Sequence, residues 1–290
     1  MDASNLDIRM RKATGIPIDI VDMIVHELIP RPGSFWSSPR SLISCASVSR
    51  LWRRITLPYL FRTVKVRGRF NNTTSCRFYS FLVSNPLIAQ FVKDLFLLRL
   101  DVDVQTLHWI LAKLPNLRCL YCSETLLHGQ LWIEEAGRGS RQYHKIDRLV
   151  YGGDACCRKI PDADMVCSKQ VTKLLSLFSE IGEFRDQSDC PHTDRAESPL
   201  PRLEGLPATI RSLDITKFRP GYYNDLHHLG LVEHLTCLHL SNPQSGNLLS
   251  LNRFLCVVGH GLQELYLGLI IQGDTTLDHL LEPNCKLLIV

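Results

Sequence analysis

A short pattern, apolar-x-x-Leu-x-apolar, recurs down most of the chain and constrains its fold more than any other feature. It reads Val92-x-x-Leu95-x-Leu97, Leu117-x-x-Leu120-x-Cys122 and Ile146-x-x-Leu149-x-Tyr151. It returns as Ile210-x-x-Leu213-x-Ile215, Leu235-x-x-Leu238-x-Leu240, Leu262-x-x-Leu265-x-Leu267 and Cys285-x-x-Leu288-x-Val290. Between the central residues Leu95, Leu120, Leu149, Leu213, Leu238, Leu265 and Leu288 the steps are 25, 29, 64, 25, 27 and 23 residues. A near-constant period of this length marks stacked strand-turn-helix units, none able to bury its apolar face alone. The long step fits two units plus an insertion. The polar, proline-bearing stretch near 184–205 suits a surface loop there.

Helical patterns lie between the strands. VQTLHWILAKLP spaces Val104, Leu107, Ile110, Leu111 and Leu114 on one face, and NLLSLNRFLCVVG and TTLDHLLEPN behave similarly. The fold class is therefore α/β, with parallel strands on one face of a solenoid and helices on the other. An ordinary α/β domain also buries strands of this kind, but seven evenly spaced copies favour the array. The strand face would carry Arg118, Tyr121, Arg148, Arg211, Asp214, Thr236, His239, Glu264 and Tyr266 as candidate contacts for a protein target.

The first 15 residues read as disordered, and residues 16–66 as a separate helical module. In IPIDIVDMIVHELIP, Pro17 fits a first helical turn, and Val21, Ile24, Val25 and Leu28 make a buried stripe. A second helix starts at Ser38-Pro39, a cap followed by proline. A third places Trp52, Ile55 and Tyr59 on one side, turns Arg50, Arg53 and Arg54 to solvent, and ends at Pro58. FRTVKV follows with the alternation of a strand. Three short helices make a marginal core on their own, so the module needs a neighbour or partner over its apolar surface.

The order I-P-I-D-I…I…L, then S-L-I-S-C-A-S-V-S-R-L-W-R, then P-Y-L-F-R-T-V-K-V resembles an F-box, in the F-box-like form common in mushroom-forming fungi. The period and pattern of residues 67–290 resemble degenerate leucine-rich repeats, without the Asn or Cys that usually follows the strand. The F-box resemblance implies docking on the Skp-family adaptor of a Skp–cullin–F-box ubiquitin ligase through Pro17, Ile18, Ile20, Ile24, Leu28, Leu42, Val48, Ser49 and Trp52. The repeats would hold a target protein. The chain itself would be a non-catalytic adaptor without cofactor or metal.

Composition narrows the alternatives. No apolar run reaches the length of a membrane span, and MDASNLDIRMRK lacks the apolar core of a signal peptide. An intracellular protein, cytoplasmic or nuclear, is expected. Eleven cysteines, odd in number and mostly within apolar stretches, read as small buried hydrophobes rather than a disulfide framework. Cys119 and Cys122 form a CxxC, but residues three apart on a strand face opposite ways, which argues against a shared metal. Asp101/Asp103 and His227-His228 need no catalytic role, and no phosphate loop, GxSxG or HExxH occurs. Arg50, Arg53, Arg54, Arg62, Lys65, Arg67 and Arg69 leave a second reading open, a basic module contacting nucleic-acid phosphates. No aromatic platform interleaves with these charges in the sequence, so nucleic acid is the less favoured partner.

Overall fold

The computed structural model describes residues 16–29, 40–68, 73–129, 144–152, 170–187, 208–216, 230, 233–241, 254–256, 258, 261–268 and 287–289. Among the described residues three helices come first: α1 (Ile18–Glu27), α2 (Arg40–Val48) and α3 (Arg50–Leu60). The strand β1 (Thr63–Arg67) follows, then the helices α4 (Thr73–Ser84) and α5 (Pro86–Ala89). Next come β2 (Asp94–Leu98), β3 (Asp101–Asp103), α6 (Val104–Ala112), β4 (Cys119–Ser123), β5 (Leu126–His128) and β6 (His144–Gly152). The remaining strands are β7 (Phe178–Asp186), β8 (Thr209–Ile215), β9 (Cys237–Leu240), β10 (Glu264–Leu267) and β11 (Leu287–Ile289).

Nine strands form one parallel sheet in the order β1-β2-β4-β6-β7-β8-β9-β10-β11, and β3 pairs with β5 in a second, two-stranded one. The strand order follows the chain and never reverses. A doubly wound sheet reverses at a switch point, whereas stacked units add each strand to the edge left by the last. The arrangement is thus solenoid-like, as the repeat spacing predicts. The central residues align across the sheet: Val64 with Leu95, Leu120, Leu149, Phe184, Leu213, Leu238 and Leu265. From Leu95 to Leu238 every one of these is fully buried, and Leu265 nearly so. Each such side chain contributes about 1.5–3 kcal/mol through burial. Val104, Leu107, Ile110, Leu111 and Leu114 pack into the same core from the helical side, as their spacing predicts.

Four details differ from the sequence reading of this array. The long step holds β7, whose central residue is Phe184 and whose second apolar position is Asp186, a substitution that hides the motif. The strand runs to Asp186, so the start of the loop expected near 184–205 is strand instead. The strand β1, read as the tail of the helical module, is the first strand of the sheet, with valines in place of leucines. At the far edge Leu265 pairs with Leu287, so the last copy is shifted by one residue from the Leu288 alignment. A buried threonine, with no counterpart in the expected pattern, follows β4. Thr125 is buried, and its hydroxyl lies 3.1 Å from the Leu97 carbonyl and 3.2 Å from that of Ser123. It ties the turn after one strand to the strand before it. Both turns pass through left-handed residues, Arg99 (φ 56°) and Glu124 (φ 50°), whose side chains pair at 2.9 Å and 3.2 Å.

The helical module has its own small core of Val21, Val25, Leu42 and Trp52, with Cys45, Ile55, Tyr59 and Leu60 against it. Pro17 precedes α1 as its cap rather than entering the first turn, because its ψ of 143° is extended. Its carbonyl accepts from the Ile20 and Val21 N–H groups. Ser49 caps α3 by accepting from the Trp52 N–H at 3.3 Å. Pro58 does not end that helix. It sits in the last turn, where it forfeits only the bond to the carbonyl of exposed Arg54, and the helix runs on to Leu60. The Ser38-Pro39 start of the second helix and the TTLDHLLEPN helix lie outside the described residues.

Candidate interaction surfaces

Two surfaces follow from this arrangement, one on the helical module and one on the strand face. On the module, the stripe expected to be buried splits in two. Val21 and Val25 are fully buried, but Ile24 is 40% exposed and Leu28 36% exposed. Ile16, Ile20 and Met23 join them, and Ile43 and Val48 are exposed on α2. The reason is geometric: α1 meets the rest of the module along one narrow line, and a helix this apolar has residues left over on the other side. Of the residues expected to dock a partner, Pro17, Ile20, Ile24, Leu28 and Val48 are therefore exposed, and Ile18 and Ser49 are half-buried. Leu42 and Trp52 are not at the surface. They hold the module together. Arg50, Arg53 and Arg54 face solvent as expected, and the Arg53 Nε donates to the Ala46 carbonyl at 3.3 Å.

On the sheet, the two residues before each central position and the one after it point away from the core. All nine strand-face positions expected from the sequence are exposed or half-exposed. The register places them in rows that run across the strands. One row carries Lys65, Phe96, Tyr121, Val150, Arg185, Asp214, His239 and Tyr266. Another carries Asp94, Cys119, Arg148, Glu183, Ser212, Cys237 and Glu264.

These rows are electrostatically stitched. Glu183 accepts from Arg148 and Arg185 at 2.5 Å each, Arg185 lies 3.5 Å from Asp214, and Asp214 lies 3.2 Å from His239. Glu180 bridges Lys145 at 3.0 Å and also pairs with Arg211. Burial alone would raise the Glu183 carboxyl, but hydrogen bonds from Arg185 and Arg148 outweigh it and hold the group below its ordinary range. Towards β1 the face turns aromatic. The Phe96 and Tyr121 rings lie 5.2 Å apart, and the Lys65 ammonium stands 5.8 Å from the Phe96 ring centre. Phe96 is only 9% exposed, so it offers little surface for stacking a base. Sequence reasoning missed Glu183 and Arg185, because β7 does not match the leucine pattern; it named Lys65 only among the basic residues and passed over Phe96 on a strand that does match.

The chemistry of the thiols is quiet. Cys119 lies on the open face and Cys122 in the core, as the strand period requires. Burial, with Asp94 nearby, pushes the Cys119 thiol up to about 11, and burial pushes Cys122 up to about 12. Neither is a thiolate at neutral pH, the form needed for attack or metal binding. Asp103 caps α6 by accepting from the Thr106 N–H at 3.2 Å, and Asp101 lies 2.6 Å from His128. That carboxylate pair is occupied structurally. His227-His228 lies outside the described residues. No helix among the described residues is long and apolar enough to cross a membrane. No protein-family model and no curated protein sequence matches the chain.

Proposed function

We propose that the chain is a non-catalytic adaptor. Its F-box-like module docks on a Skp-family adaptor, and through it a cullin ubiquitin ligase, while its leucine-rich-repeat-like strand face holds a target protein. The observation that carries this reading is the apolar face of α1. Ile16, Ile20, Met23, Ile24 and Leu28 are each at least 36% exposed beside a module core that is already complete without them. A contiguous apolar surface of this kind marks an interaction site, and Ile20, Ile24 and Leu28 are among the residues that carry the F-box resemblance. The strand face supports the second half of the reading. Its rows of ion pairs and aromatics are held in register by the sheet, and such a preorganised polar surface gives specificity and orientation.

The test is a binding measurement between the full chain and a purified Skp-family adaptor, with an Ile20→Asp/Ile24→Asp variant beside it. Both positions are exposed, so the variant keeps its fold, and circular dichroism confirms that. The expected result is stoichiometric binding by the natural chain and none by the variant. Equal binding by both, or none by a folded natural chain, would sink the docking reading. The exposure of Arg50, Arg53 and Arg54 along α3 favours one alternative, a basic surface for nucleic-acid phosphates. That reading requires affinity for nucleic acid that falls steeply with salt.

A further inference from the structure

We propose that His108 and His144 form a two-imidazole site for a divalent transition-metal ion of the zinc class, joining α6 to β6. The two residues are 36 positions apart, yet the fold brings His108 Nδ1 to 3.3 Å from His144 Nε2, with ring centres 5.1 Å apart. That separation is within reach of a hydrogen bond between the two ring nitrogens. It matches the edge of a tetrahedral site, because ligand distances of about 2.0–2.1 Å put two nitrogens about 3.3–3.4 Å apart. Both atoms come from rigid elements, one from a nine-residue helix and one from the first residue of a long strand. The Phe178 ring packs edge-on against His144 at 6.5 Å and fixes its plane.

A further observation points the same way. Gln105 Oε1 is buried and has no hydrogen-bond partner. It sits one turn before His108 on the same side of α6, where a metal-bound water would find an acceptor. Among the described residues no third His, Cys, Asp or Glu joins the pair, and water would fill positions that protein leaves open. Imidazole pairs of this kind suit zinc, copper and nickel over magnesium or calcium. The site is a clip between successive units of the array.

The experiment is a calorimetric titration of zinc chloride into the full chain at pH 7.5, with thermal unfolding read in parallel. One ion per chain and a raised unfolding temperature are expected. His108→Gln and His144→Gln should each weaken binding by about tenfold or more, while Cys119→Ser should leave it unchanged. Should His144→Gln fail to fold, His108→Gln carries the decision, since that residue is half-exposed on a helix. Zinc binding that persists undiminished in a folded His108→Gln chain would overturn the proposal, as would no binding by the natural chain.

Discussion

The helical module and the sheet solve the same problem in opposite ways. In the sheet, each unit leaves an apolar edge and face that the next unit covers, so the central residues from Leu95 to Leu265 end at 0–1% exposure. In the module, four buried side chains make the core, and much of the apolar surface of α1 and α2 stays outside it. Repetition gives the sheet a neighbour for every strand. The module has no such neighbour within its own three helices, and its leftover surface is what a partner would cover. Apolar side chains thus close a core in one region and stay partly exposed in the other.

Substitutions should separate the two regions. The largest effect is expected from Trp52→Ala, which removes the biggest member of the module core and should cost about 3–5 kcal/mol. Because that core is separate from the sheet's, amide exchange should show the loss confined to residues 18–60, with the strands still protected. Loss of protection throughout would mean the two regions fold as one. Leu120→Ala, at the centre of β4, should cost about 2–5 kcal/mol in denaturant melts and weaken the strands instead. A comparable loss at exposed Ile20→Ala would break the comparison, since surface changes stay within about 0.5 kcal/mol.

The next effect is a pH dependence belonging to the sheet side alone. His108 and His144 are held neutral by burial, His144 down to about 4. The unfolded chain binds protons on them first, near the ordinary imidazole range, so their contribution is whole above that range. It fades as pH falls through it towards about 4. Unfolding temperatures measured across this window should drop, and His144→Gln should flatten the slope. Smaller still, Thr125→Val should cost about 1–3 kcal/mol, because the Leu97 carbonyl loses its buried donor. Ser49→Ala should cost about 1 kcal/mol through the lost cap on α3, an effect measurable in the module's own melting.

Much of this was legible in the chain, and the failures have physical causes. Leucine at a fixed spacing announces strands, so the units from Leu95 to Leu149 and from Leu213 to Leu265 fall where the pattern puts them. The strand β7 escaped because Phe184 and Asp186 fill the positions of leucines, and a strand needs only a side chain that packs, not a particular one. The one-residue shift at Leu287 is set by hydrogen-bond register, to which a run of adjacent apolar residues is indifferent. In the module, helical period alone cannot say how wide a stripe is covered. It read Ile24 and Leu28 as buried, and the narrow contact line leaves them exposed. The His108–His144 pair had no sequence signal at all, since no local spacing relates residues that only the stacking of units brings together.

The most direct test of the docking face is hydrogen–deuterium exchange on the full chain, with and without a saturating Skp-family adaptor. Protection gained over residues 18–27 and 40–48, with the strand face unchanged, is the expected result. Protection on the strand face instead, or no change anywhere, would contradict it.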